Sequence, residues 1–206
     1  MTNGDDFERM IRPFELLDRN LISARCHMHI YKRINVLAEQ MEITGKDADA
    51  IIAIRAGSIT SALVSLVACL DVHHAKYPDR ASIGGLIHRL KTQEYTDYFS
   101  QYHSSVKDFE KGRKALSKKY NKFRSSGVFK KASKLRNNAV AHILDLDDTP
   151  TVTYACLDVV SKNVQEMCDL AFAVLGCGRQ THTLYEARHA ETADWLVETY
   201  TKGMQA

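Results

Sequence analysis

Apolar residues recur at three- and four-residue steps along almost the whole of this 206-residue chain, and that regularity constrains the fold more than any other feature. A helix turns once in ~3.6 residues, so side chains at this spacing line one face. Three Pro and ten Gly leave little material for turns, which favours long helices joined by short connections. Pro13 suits the first turn of a helix running to about Ile43, leaving 1–12 as a loosely ordered N-terminus. "DADAIIAIRAGSITSALVSLVACLDVHH" predicts a second helix, apolar on several sides and so central to a bundle. "SIGGLIHRL" predicts a short helix capped by Ser82. The polar run 94–124 carries Tyr95, Tyr98, Phe99, Tyr102, Val106 and Phe109 on one face. Ser125 or Ser126 caps the next helix, near Gly127. That helix should end near His142 to Leu144, because Asp145, Asp147 and Asp148 oppose the negative end of the dipole and Thr149-Pro150 breaks the run. "VTYACLDVVSKNVQEMCDLAFAVLGCG" forms another helix closed by Gly176 and Gly178, and a last one carries Trp195. Only "TVTY" hints at extended chain. The expectation is an all-α, up-and-down bundle of about six to seven helices in one domain over 1–206.

Hydrophobic residues at 45% and charged residues at 26% are ordinary globular values, so disorder and fibrous classes are set aside. The five cysteines are odd in number and scattered, which reads as reduced thiols in a cytoplasmic protein. The opening "MTNGDDFERMIRPFELL" lacks a basic segment followed by an apolar core, and no stretch reaches ~18 uninterrupted apolar residues. Neither secretion nor a membrane association is expected. The net charge of +3 hides an asymmetry. Residues 107–136 hold twelve Lys and Arg against Asp108 and Glu110, a local +10, so the rest of the chain carries −7. A basic strip on an acidic body is the footprint of contact with polyanions.

Most chemical signatures are missing. His27 and His29 point to different sides of a helix, and His73, His74 and Asp71 lack the further ligands a metal site needs, so no metal or other cofactor is expected. Gly84-Gly85 lacks the Lys-Ser/Thr of a phosphate-binding loop. Cys69 and Cys168 sit on apolar stripes, as inert buried thiols do. What remains is "LRNNAVAH", with Arg136 and His142 six positions apart: about 120° around a helix and ~9 Å along it. One helix does not bring them to one point, whereas a second copy about a two-fold axis supplies another Arg and another His. Asn137 and Asn138 are poor helix formers without a core role.

"LRNNAVAH" resembles the Arg–(four to six residues)–His signature of the HEPN superfamily, with a polar residue, Asn137, directly after the Arg. The order of elements, "SITSALVSLVACLD", a loop, "SIGGLIHRL", a long charged helix, the motif, a further amphipathic helix and a late Trp, is similar to its AbiU-type branch, associated with abortive infection, over roughly residues 15–200. Many relatives place an acid soon after the His, whereas Ile143 and Leu144 intervene here before Asp145.

The resemblance implies a HEPN-like helical homodimer whose paired motifs form a metal-independent endoribonuclease site, used in phage defence or a toxin–antitoxin pair. RNA carries its own nucleophile, the 2′-hydroxyl, so the enzyme must supply proton transfer and a cation for the phosphate. His142 titrates near neutrality and suits the first role; Arg136 suits the second. Asn137 would orient the phosphate or the His. Lys118, Lys119, Lys122, Arg124, Lys130, Lys131 and Lys134 form a candidate RNA-binding track, with Tyr120 and Phe129 as candidate stacking or core rings. The alternative is a HEPN-like module that binds RNA or a nucleotide without cutting it, or the helical partner of a nucleotidyltransferase; an antitoxin is a further expected partner.

Overall fold

The computed structural model describes residues 3–40, 45–76, 80–141 and 154–176, with scattered positions between 187 and 202. It is all-α. In chain order the helices are α1 (Asn3–Gln40), α2 (Lys46–Cys69), α3 (Ile83–Arg89), α4 (Gln93–Phe99), a 3-10 turn (Ser100–Tyr102), α5 (Val106–Arg124), α6 (Gly127–Ala141) and α7 (Tyr154–Val174). The described positions between 187 and 202, Trp195 among them, are also helical. Gly178, "TVT" at 151–153, and the expected helix end at 142–144 lie outside the described residues.

The pairing of α1 with α2 is the most extensive, and α2 also meets α6 and α7, as its apolar composition predicts. By length and composition Ala48–Cys69 would suffice to cross a membrane. The main core joins Phe14 and Leu21 of α1, Leu63 and Leu66 of α2, Phe99, Phe109 and Leu116 of α4 and α5, and Val160, Val164 and Met167 of α7. Each such side chain contributes roughly 1.5–3 kcal/mol when fully buried. A smaller cluster of Ile34, Leu37, Ile51 and Val197 closes the far end of α1 and α2.

Three boundaries differ from expectation. Pro13 lies inside α1, and helix extends back to Asn3 where a loose terminus was expected. Proline removes one backbone donor and crowds the preceding turn. Packing offsets that cost: Met10 and Phe14 are buried, Phe7 and Ile11 pack against the core, and the Tyr95 hydroxyl donates to the Met10 carbonyl at 3.0 Å. The run 94–124 is not one helix. It breaks after Phe99, and Ser105 recaps α5 by accepting from the Asp108 N–H at 3.2 Å. The His103 ring donates from Nε2 to the Val174 carbonyl at 2.6 Å, fixing the break against the end of α7. Tyr102 and Val106, expected on the buried face, are therefore exposed. Finally, α2 stops at Cys69 and does not continue through His74. Helix ends leave carbonyls unpaired, and here the Tyr120 hydroxyl lies 3.1 Å from the carbonyls of both Leu70 and Asp71.

Other expectations hold. Ser82 caps α3, accepting from the Gly85 N–H at 3.1 Å, and Ser126 accepts from the Phe129 N–H at 3.2 Å where α6 begins. Gly176, with φ +70°, follows α7 in the left-handed conformation that glycine adopts without strain.

Candidate functional site

Four segments converge on Asp71. It lies in the irregular stretch after α2, which Tyr120 of α5 holds through its backbone. One carboxylate oxygen receives Nη1 of Arg136 from α6 at 3.0 Å, and the other receives Nη1 of Arg80, from the loop before α3, at 2.9 Å. Arg136 and Asp71 are only 23% and 20% exposed, so solvent screens this pair incompletely. The side-chain oxygen of Asn137 accepts from Nε and Nη2 of Arg136 at 3.2 and 3.1 Å. This gives the residue after the arginine a local duty: it holds the guanidinium from a second side. Gly84 makes the convergence possible, since a Cβ there would stand 2.5 Å from the Asp71 carbonyl oxygen and 2.6 Å from the Tyr120 hydroxyl.

Arg124 adds a third guanidinium. It lies 5.5 Å from the Tyr120 ring centroid and 5.2 Å from that of Phe129, and donates to the Tyr120 hydroxyl at 3.4 Å. Burial pushes the Tyr120 phenol above its usual range, with Arg124 opposing, so it stays a neutral donor. Two arginines thus share the Asp71 carboxylate, and a third lies against the Tyr120 ring, whose hydroxyl contacts the Asp71 carbonyl. Tyr120 and Phe129 are buried in the core, and neither offers a face for base stacking.

Of the seven predicted track residues, Lys118, Lys122, Lys130, Lys131 and Lys134 are exposed. Lys119 instead pairs with Glu166 of α7, and Arg124 is tied to the aromatic pair. The exposed stripe of α5 is longer than that track, because Lys107, Lys111, Lys114, Lys118 and Lys122 follow one another at three- and four-residue steps. Lys114 is partly offset by Glu110 at 3.4 Å. Lys130, Lys131 and Lys134 continue the charge on α6, the helix that carries Arg136.

His142 lies outside the described residues. Another histidine pair stands beside the cluster. His73, two residues after Asp71, stacks on His88 of α3 with ring centroids 3.8 Å apart and planes within 5°. Partial burial, then His88, Arg89 and His74, lower the affinity of His73 for a proton. Among the described residues no group of three or more His, Cys, Asp or Glu is placed to hold a metal ion. Cys69 and Cys168 are buried, and burial beside Asp71 pushes the Cys69 thiol up to about 12.

Sequence reasoning missed Asp71, Arg80 and Tyr120 as neighbours of Arg136. Asp71 drew notice only as a metal-ligand candidate beside His73 and His74, and nothing in its local pattern points to a partner 65 positions later. No family model, no curated protein and no solved structure matches the chain.

Proposed function

We propose that the chain is a metal-independent endoribonuclease that acts as a homodimer, with Arg136, Asn137 and His142 at its centre and the lysines of α5 and α6 holding the RNA backbone. One observation carries the reading: Arg136 is held from two sides on the helix whose preceding turns expose Lys130, Lys131 and Lys134, with the lysine stripe of α5 adjoining. A guanidinium has more N–H donors than the three engaged by Asp71 and Asn137, so a pre-oriented Arg136 can still meet phosphate oxygens. In this mechanism His142 takes or returns the proton of the 2′-hydroxyl and leaving oxygen, while Arg136 stabilises charge on the phosphate. The second copy supplies the partner motif. The partial exposure of the apolar helix α2, where Ile52 is 59% exposed, leaves surface on which such a copy can seat. The proposed setting is cytoplasmic, in phage defence or with an antitoxin.

The Arg136–Asp71 ion pair favours a second reading, a HEPN-like module that binds RNA or a nucleotide without cutting it, alone or beside a nucleotidyltransferase, because the pair gives Arg136 a structural duty. A cleavage assay on mixed RNA in excess chelator separates the two. The nuclease reading expects products with a 2′,3′-cyclic phosphate and a 5′-hydroxyl, resistance of a substrate with 2′-deoxy at the cut, and a loss of about 10²–10⁴-fold in His142→Ala. Undiminished cleavage in folded His142→Ala, or 5′-phosphate ends, refutes the mechanism. RNA retention without any cleavage favours the binding module.

A further inference from the structure

Tyr102 ends the 3-10 turn just before α5 and is 53% exposed, and Val106, the first residue of α5, is 52% exposed. We propose that the Tyr102 ring is a stacking platform for a base of single-stranded RNA, with the phosphates that follow lying on Lys107 and Lys111 of α5. The inference rests on the RNA reading above and commits it to an unpaired strand, since a base inside a duplex offers no face to a ring. Singly exposed apolar side chains are ordinary, so exposure alone carries nothing. Tyr102 is exposed and also held. Tyr98 and Phe99 stand against it, with ring centroids 6.1 and 6.3 Å away. A Cβ on Gly176 would stand 2.6 Å from the Tyr102 Cβ, so the chain at the end of α7 abuts the root of the side chain. The next residue, His103, is tied to the Val174 carbonyl. A ring fixed in this way loses little freedom when a base lands on it. The break in the helix turns it outward: in one continuous helix Tyr102 and Phe109, seven positions apart, would share the buried face.

Lys107 and Lys111 are exposed and open the stripe that continues through Lys114, Lys118 and Lys122. The five lysines span about 22 Å along α5, at ~1.5 Å per residue, so a strand can follow the ring along the helix. Acids also stand at this end. Asp97 accepts from the Gln93 amide at 2.6 Å, Asp108 from the Ser105 hydroxyl at 2.8 Å and Glu110 from Lys114 at 3.4 Å, while Asp6 of α1 acts on Tyr98. Carboxylates repel a phosphate but leave an uncharged base unopposed, which assigns the base to the ring and the backbone to the lysines. Between residues 100 and 141 the other phenyl and phenol rings, Phe109, Tyr120, Phe123 and Phe129, are buried and have no face to offer.

Fluorescence anisotropy of the full chain with an oligouridylate, blocked against cleavage by 2′-O-methyl groups, tests the assignment across a range of salt concentrations. Tyr102→Ala should weaken binding about tenfold, a typical loss for one stacked base, and Tyr102→Trp should restore it. The slope of affinity against salt should not change in Tyr102→Ala, because no phosphate contact is lost. It should fall by roughly 0.7 per contact in Lys107→Gln with Lys111→Gln. The same strand with abasic positions should bind the unaltered protein about as weakly as the intact strand binds Tyr102→Ala, and a duplex should be indifferent to that change. Unchanged affinity in folded Tyr102→Ala, equal binding of the abasic strand, no restoration by Tyr102→Trp, an equal loss for the duplex, or no binding of the strand at all overturns the platform. A change of oligomer mass in Tyr102→Ala makes the patch a contact between copies and overturns it too. Cleavage of unblocked mixed RNA, read in parallel, keeps the two readings apart. Indifference to Tyr102→Ala with cleavage intact removes only the platform, whereas Tyr102-dependent binding without cleavage removes only the nuclease.

Discussion

Replacing Asp71 with Ala should destabilise the protein more than replacing Arg136 with Ala, although both changes break the same ion pair. Removing the carboxylate leaves Arg80 and Arg136 without the group both of them contact, whereas removing Arg136 leaves Asp71 its contact with Arg80. Exposed pairs contribute ~0–1 kcal/mol, and breaking a fully buried one costs about 3–5. At 20% and 23% exposure this pair lies between, so Asp71→Ala should cost about 2–3 kcal/mol and Arg136→Ala about 1–2. Tyr120 contacts the Asp71 backbone, so the end of α2 should survive the side-chain change. Urea denaturation of both single variants and the double variant gives the coupling directly, expected at about 1 kcal/mol or more. Melting temperatures should fall by ~2–4 °C per kcal/mol. Additivity within ~0.3–0.5 kcal/mol would show that the pair contributes nothing to folding. Equal costs for the two single variants would refute the role given to Arg80.

Gly84→Ala should destabilise by about 1–3 kcal/mol, the usual cost of overpacking, because its Cβ would collide with the Asp71 carbonyl and the Tyr120 hydroxyl; an unchanged denaturation midpoint would mean that this approach relaxes freely. His73 holds its proton less tightly in the folded chain than in the unfolded one, so the unfolded state binds more protons as the pH falls. Its contribution is therefore complete above about 6.5 and is lost as pH drops through the lower folded value; His73→Asn should flatten the urea midpoint against pH between about 7 and 5. Charge reversal at Lys130, Lys131 and Lys134 should reduce the salt slope of RNA binding by about 2, at roughly 0.7 per phosphate contact on single strands. An unchanged slope would make the strip a solvated face.

Helical class, the caps at Ser82 and Ser126 and the central place of α2 were legible in the chain because each rests on local rules: a 3.6-residue period, a hydroxyl before a helical run, an apolar composition. The basic strip was legible too, since exposed lysines need only fall on the unburied stripe of an amphipathic helix. What misled was also local. Periodicity carried the helix through Ser100–Ser105, where Ser105 recaps the chain and His103 binds the end of α7, and Pro13 suggested a start that the burial of Met10 and Phe14 overrides.

From sequence alone, the chain determined that it would be helical, that its positive charge would gather between residues 107 and 136, and that Arg136 would stand among lysines on one helix. Only the tertiary structure decided that Arg136 meets Asp71, that Arg80 shares the same carboxylate, that Lys119 and Arg124 turn from the candidate track to Glu166 and the Tyr120–Phe129 pair, and that His73 stacks on His88. The physical reason is range. Periodicity and capping are set by neighbours within a turn or two, whereas an ion pair between residues 65 apart depends on how whole helices pack, and packing is settled by the shape of the core they bury together.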